Sequence, residues 1–238
     1  MARKKKVSKQ IIEKAQEEDR TNLTEYESKQ LLSEWEIPVT DTKLAKDKLE
    51  AVDAARELKY PVVMKISSPD IDNKTEVEGI RIGISSEIEV RQAFEDLKLN
   101  VKSFDKEAEI EGVVVQEYVP DAREIVIGVI QDPSFGPTMT FGLGGVWIEK
   151  LEDVSYRLAP ISGDEARDMI EDIRGYPLLS GLEGGDPVDI DSIVDVLKKT
   201  SEIPIEFREI SEIALTPVFA FEKGKGSKVV EAQITLEE

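Results

Sequence analysis

Residues 132–160 read DPSFGPTMTFGLGGVWIEKLEDVSYRLAP, and the rest of the chain is organised around this stretch. Asp132-Pro133 and Gly136-Pro137 are both breaker pairs, so it opens on a turn. An apolar run, Thr138 to Phe141, then meets Gly142-Leu143-Gly144-Gly145. Three glycines in four residues cost backbone entropy that a plain strand avoids. They suit a backbone that adopts an unusual dihedral or comes close to something bulky. Glu149, Glu152, Asp153 and Arg157 follow, spaced among apolar residues. A glycine turn followed by placed charges is what a polyanion pocket needs, and a tight turn between two buried strands accounts for the same residues.

Working outward, 238 residues are enough to bury a sizeable core, as one large domain or two small lobes. No apolar run approaches the roughly 20 residues that span a bilayer, so no membrane partner is expected. The start, MARKKKVSKQ, is basic but leads into no signal-peptide core, which points to a cytoplasmic location. The net charge of −19 argues against nucleic acid as a partner, because phosphate repulsion would dominate. The chain has no cysteine, which removes thiol catalysis and thiolate metal sites, and no histidine. A histidine base, metal ligand or phosphohistidine must therefore come from a partner chain.

Residues 1–22 read as a basic tail and short helix, with Ile11, Ile12 and Ala15 on one face. Thr24-x-x-Glu27, Ser86-x-x-Glu89 and Ser162-x-x-Glu165 are helix-capping patterns, and Asp189 starts a further helix. Apolar runs predict strands at residues 39–45, 62–66, 112–118 and 124–131. Ile80, Ile82 and Ile84 alternate as in a half-buried strand. Residues 210–221 and 228–236 read as a hairpin around Gly224-Lys225-Gly226. The polar residues 100–111 mark a boundary, giving lobes 23–110 and 111–238. The fold class is α/β (α+β), in two lobes.

Several segments carry candidate chemistry. Lys65 ends an otherwise apolar strand, where its compact charge suits a phosphate. Gln116-Glu117-Tyr118-Val119 follows a predicted strand, and Glu124 comes soon after, in Val119-Pro120-Asp121-Ala122-Arg123-Glu124. Ser67-Ser68-Pro69-Asp70-Ile71-Asp72-Asn73-Lys74-Thr75 is a polar loop between strands.

Together with DPSFGP, FGLGG and EKLEDVSYRLAP, these segments resemble the ATP-grasp subunit of ADP-forming acyl-CoA synthetases (acetate–CoA ligase, ADP-forming), from about Leu23 to Leu236. The resemblance implies a two-lobed ATP-grasp fold with ATP or ADP and magnesium as cofactors. It further implies phosphoryl exchange between nucleotide and a phosphohistidine on a CoA-binding, alpha-type partner subunit. On it, Lys65, Glu117, Val119 and Glu124 hold nucleotide, Gly142, Gly144 and Gly145 approach the phosphates, and Glu231 contacts a metal. Asn73 stands where the family has a histidine, Glu78 where the first of two glycines usually stands, and Glu183 where an arginine is common. Ala214 and Thr216 occupy the acid and amide positions of the metal motif, and Gln233 an arginine position. A second reading keeps the fold without turnover, as a nucleotide-sensing, regulatory or structural subunit of a larger complex.

Overall fold

The computed structural model describes residues 2–71, 73–120, 122–145, 153–181 and 186–237, with residues 2–5 as backbone only. The chain divides into two compact units, Thr40–Pro120 and a discontinuous one made of Met1–Val39 and Asp121–Glu238.

In the unit of residues 40–120, four antiparallel strands run in the order β1-β4-β2-β3. They are β1 (Thr42–Ala45), β2 (Val62–Ser67), β3 (Ile80–Ile84) and β4 (Gly112–Glu117). Helices α3 (Lys48–Leu58) and α4 (Glu87–Phe104) cover one face. Asp47 caps α3 by accepting the Leu49 and Glu50 amides, and Ser86 caps α4 through Glu89. Alternation along β2 sends Val62, Met64 and Ile66 into the core with Ala51, Phe94 and Leu97. Lys65 is thereby left on the opposite face.

The other unit is built on an antiparallel sheet in the order β10-β8-β5-β6-β7. Its strands are β5 (Arg123–Asp132), β6 (Gly136–Leu143), β7 (Val154–Leu158), β8 (Ile210–Ala220) and β10 (Ala232–Leu236), with the short β9 (Ser227–Val229) against β8. Ile125, Ile127, Val129, Met139, Phe141, Ile213 and Leu215 face one buried core. Across it lie helices α5 (Gly163–Glu171), α6 (Tyr176–Ser180) and α7 (Ile190–Glu206), through Met169, Ile170, Leu179, Ile193 and Leu197. Burying each such side chain fully is worth about 1.5–3 kcal/mol relative to exposure.

Helices α1 (Ala2–Glu17) and α2 (Glu25–Glu34) belong to this same unit. Ile11, Ile12 and Ala15 of α1 and Leu31 and Leu32 of α2 enter its core. The connection between these helices is tied to β10: the Leu23 amide donates to the Ile234 carbonyl (2.9 Å), and the Leu236 amide to Thr21 (2.6 Å). The capping box of Thr24 and Glu27 is closed in both directions.

The expected boundaries at 22/23 and 110/111 therefore differ from the observed units, for two physical reasons. The apolar face of α1 joins the core of the larger unit, and β4 pairs between β1 and β2, so residues 111–117 cannot leave the smaller sheet. Residues 100–104 are the last turn of α4 and Ala108 is buried, so the polar stretch is not a linker. Ile82 is exposed although Ile84 is buried. A register irregularity between Val62 and Met64, with Gly83 at φ +77°, breaks the alternation on this edge strand. The C-terminal hairpin turns at residues 224–226 as expected, but its return arm splits into β9 and β10 opposite Thr216-Pro217. Helix α6, five residues long with Pro177 near its start, had no periodic signal to announce it. Among the described residues no helix is long and apolar enough to cross a membrane.

Glu27 ties the start of this unit together. Its carboxylate accepts from Lys14 (3.0 Å), from two Arg20 nitrogens (3.0 Å each) and from the Thr24 amide (3.0 Å). Burial pushes this carboxyl up, but Arg20, the Thr24 amide and Lys14 together outweigh it and hold the group below its ordinary range. A depressed folded value means the stabilisation is present above the unfolded value of about 4.3 and is lost as pH falls through the folded one. Glu27→Gln is expected to destabilise the protein by about 2 kcal/mol near neutrality. The gap from wild type should narrow as the pH falls below about 4, in urea unfolding across pH 3–7.

Candidate functional site

Lys65 sits in the middle of the smaller sheet, between Ile80 on β3 and Val114 on β4, and is only 4% exposed. A charge this buried persists only where something compensates it. Gln116, opposite Val63 on β4, shares that sheet face and is also buried, a polar neighbour that the sequence offered only as the first residue of the Gln116-Glu117-Tyr118-Val119 segment. Ser67, two residues beyond Lys65, donates its hydroxyl to Glu111 (2.9 Å). Glu117 ends β4, where its carboxylate accepts the Asp41 amide (2.7 Å) and its own amide donates to the Asp41 carbonyl (3.0 Å). That clasp fixes where the chain leaves β4 towards half-buried Val119.

The loop after β2 uses Asn73 for its own shape. The Asn73 side-chain oxygen accepts the Thr75 and Glu76 amides (3.1 and 3.4 Å), and its amide nitrogen donates to Glu76 (2.9 Å). This is an Asx-type turn, with the side chain committed to the loop. At the loop's end Glu78 has φ +48°. Beside it Gly79 packs so closely that a Cβ would lie 2.9 Å from Ile66 and 3.0 Å from the Lys74 carbonyl. The single glycine kept from the expected pair is thus required by packing.

In the other unit, the glycines after β6 turn out to have different jobs. Gly142 is inside the strand, opposite Val126 and Val154, and a Cβ on it would lie 2.9 Å from the Asp153 carbonyl. Gly144 donates its amide to the Glu124 carbonyl (2.7 Å), and a Cβ there would meet the Glu124 Cβ at 2.7 Å and its carbonyl carbon at 2.9 Å. Gly145 has φ +62° and is exposed; its nearest neighbour is the Glu124 carboxylate. Gly142 and Gly144 therefore answer to close packing of the chain on itself. Gly145 alone combines a left-handed backbone with an open surface.

The charges downstream of the glycines, where they are described, also serve the fold. Asp153 accepts the Arg174 and Gly175 amides (2.8 and 2.6 Å), and Arg157 pairs with Asp172. Glu149, Glu152 and Glu183 lie outside the described residues, as do Asp72 and Asp121.

Glu231 is half-buried at the break between β9 and β10, and its carbonyl accepts the Thr216 amide (3.2 Å). Ala214 and Gln233 pair across β8 and β10 and put a methyl and a neutral amide where the resemblance expects an acid and an arginine. Among the described residues no three acidic groups come together in a way that would hold a metal. Magnesium takes one or two carboxylates plus phosphate oxygens and water, so the described residues do not amount to a metal site held by this chain alone.

The structure thus brings Lys65 and Gln116 onto one sheet face of the smaller unit. In the larger unit it brings Glu124, Gly144 and Gly145 into contact. These pieces stand on a chain whose likeness to known proteins is extensive. Residues 14–236 match the ATP-grasp domain. The chain is 42% identical over 215 residues to the acetate–CoA ligase (ADP-forming) I subunit beta of Pyrococcus furiosus, covering 90% of this chain and 92% of that one. It is 40% identical to acetate–CoA ligase (ADP-forming) I of Archaeoglobus fulgidus, where the match takes 82% of this chain but 28% of the relative. A solved structure of a Ca. Korarchaeum cryptofilum acetyl-coenzyme A synthetase, in complex with coenzyme A and Mg-AMPPCP, superposes with a TM-score of 0.85. It is 42% identical and is matched over 97% of this chain and 100% of that one. All three are named as ligases or synthetases, and none of them speaks for a subunit without turnover. On the fold, the family match and this near-complete coverage, the chain belongs to the ATP-grasp family, among the beta subunits of ADP-forming acetate–CoA ligases.

Proposed function

We propose that this chain is the nucleotide-binding subunit of an ADP-forming acyl-CoA synthetase. It would work with a CoA-binding partner subunit in the net reaction acyl-CoA + ADP + phosphate to acid + ATP + CoA. The observation that carries the reading is Lys65, a buried cation held by strands on both sides in a chain otherwise strongly acidic. An ammonium fixed in a water-poor site neutralises phosphate charge far better than one in solvent.

In the proposed nucleotide half of the reaction, a terminal phosphate oxygen of ADP attacks the phosphorus of a phosphohistidine. The N–P bond breaks and the imidazole leaves with its electron pair. This chain contains no histidine, so the phosphohistidine belongs to the partner. Lys65 offsets the charge of the nucleotide phosphates, and such charge stabilisation is the main way a protein accelerates phosphoryl transfer. Glu117, by clasping Asp41, fixes the segment through Val119 on which the resemblance places the base. Gly145 is the glycine free to approach a phosphate, because Gly144 is already packed on Glu124. Magnesium would arrive on the nucleotide, and Glu231 is the acid that the chain keeps in the metal motif implied by the resemblance.

Calorimetric titration tests this directly. Micromolar binding of ADP or ATP is expected, and no binding with or without magnesium would overturn the reading. Lys65→Met is expected to weaken nucleotide affinity by about 10- to 100-fold, the loss of one hydrogen bond to a charged group. Gly144→Ala should instead cost about 1–3 kcal/mol in urea unfolding, because its methyl cannot fit against the Glu124 backbone. Gly145→Ala should cost about 1–2 kcal/mol through its dihedral.

A further inference from the structure

Ala214 stands on the outer face of the larger sheet, because Ile213 and Leu215 on either side of it enter the core. The register places it in a cross-strand row: Thr140 on β6, Gly128 on β5, Ala214 on β8 and Gln233 on β10. That row carries a hydroxyl, no side chain, a methyl and a neutral amide. Gly128 leaves no room for an acid, since a Cβ there would lie 2.5 Å from the Thr140 hydroxyl. Thr216, two residues on from Ala214, adds one more uncharged hydroxyl at an exposed position.

Carboxylates flank this row without entering it. Glu212 precedes it on β8, opposite Ile130 and Thr235. Glu231 lies on its other side, where its carbonyl accepts the Thr216 amide (3.2 Å). Counted along β8 from Glu212 to Thr216, the backbones that carry these acids are about 13 Å apart. Two oxygens on one magnesium, each about 2.1 Å from the ion, lie at most about 4 Å from one another. In keeping with that spacing, among the described residues no three acidic groups gather to hold a metal.

We infer that nucleotide uptake by this chain does not depend on magnesium, because the chain offers the ion no charged row to bridge to; this rests on the nucleotide reading proposed above. Magnesium joins a nucleotide to a protein where carboxylates take one side of the ion and phosphate oxygens the other. The positions that the resemblance implies for this offer a methyl at Ala214 and a hydroxyl at Thr216, and one acid, Glu231. An acid at 214 and an arginine at 233 would face each other as a charged pair, whereas Ala214 and Gln233, directly opposite, form a neutral one. The row is therefore neutral as a whole. Phosphate charge is left to Lys65, a cation that needs no metal to act.

Calorimetric titration of the whole chain with ADP, first in EDTA and then in excess magnesium, tests this. Wild type is expected to give the same dissociation constant in both, within about 3-fold. Ala214→Glu puts a carboxylate into the row, and magnesium should then tighten ADP binding by about 10-fold, the lower end of what one partner in a metal site is worth. Thr216→Asp, at an exposed position, should show the same gain and guards against misfolding of Ala214→Glu. In EDTA both variants should bind ADP more weakly than wild type, because the added charge repels phosphate. Wild-type binding that weakens by about 10-fold or more in EDTA overturns the inference and leaves the nucleotide reading standing. A magnesium response in neither variant also overturns it, since the metal-binding positions would then lie elsewhere. No ADP binding by wild type under either condition overturns the nucleotide reading and this inference together.

Discussion

The alternation of β5 is the constraint on which the larger unit depends. This ten-residue strand is bonded to β6 on one side and β8 on the other. Ile125, Ile127 and Val129 point into the core, and Glu124, Val126, Gly128 and Ile130 point out. A slip of one residue would exchange the two sets, so the apolar side also fixes which residues face outward. Glu124, which meets the glycine turn, is an outward position of this strand.

The chain's two ends close that same unit. Helices α1 and α2 enter its core, and residues 21–23 are bonded to β10 near the C-terminus. Residues 40–120 are thus a unit inserted between two parts of another. That arrangement explains why Glu27 gathers Lys14 and Arg20: charges from α1, the following turn and α2 converge where burial alone would penalise the carboxylate. The inserted unit has its own core and holds Lys65 on strands bonded at both sides, which gives the cation a fixed place.

Much of this was legible in the chain before any coordinates. The capping residues Thr24, Ser86, Ser162 and Asp189 each cap the helix expected of them, because a cap is a local hydrogen bond. The apolar runs at residues 62–66 and 112–118 became strands since burial on both faces leaves few alternatives. The glycine-rich turn was recognisable as a place of close approach. What approaches Gly142 and Gly144 was not: the partners are Asp153 and Glu124, the latter about 20 residues away in sequence.

The sequence by itself determined the elements, their caps, the family likeness and the lack of any histidine, because these depend on residue identity and short spacing. Only the tertiary structure decided that α1 is core and not tail, and that β4 belongs with β1 and β2. It alone separated Gly145 from the glycines used in packing, and showed Asp153 and Arg157 bound up in the fold. Each of these turns on pairings between residues far apart in the chain, whose register is set by which faces can be buried together, and no local pattern records that choice.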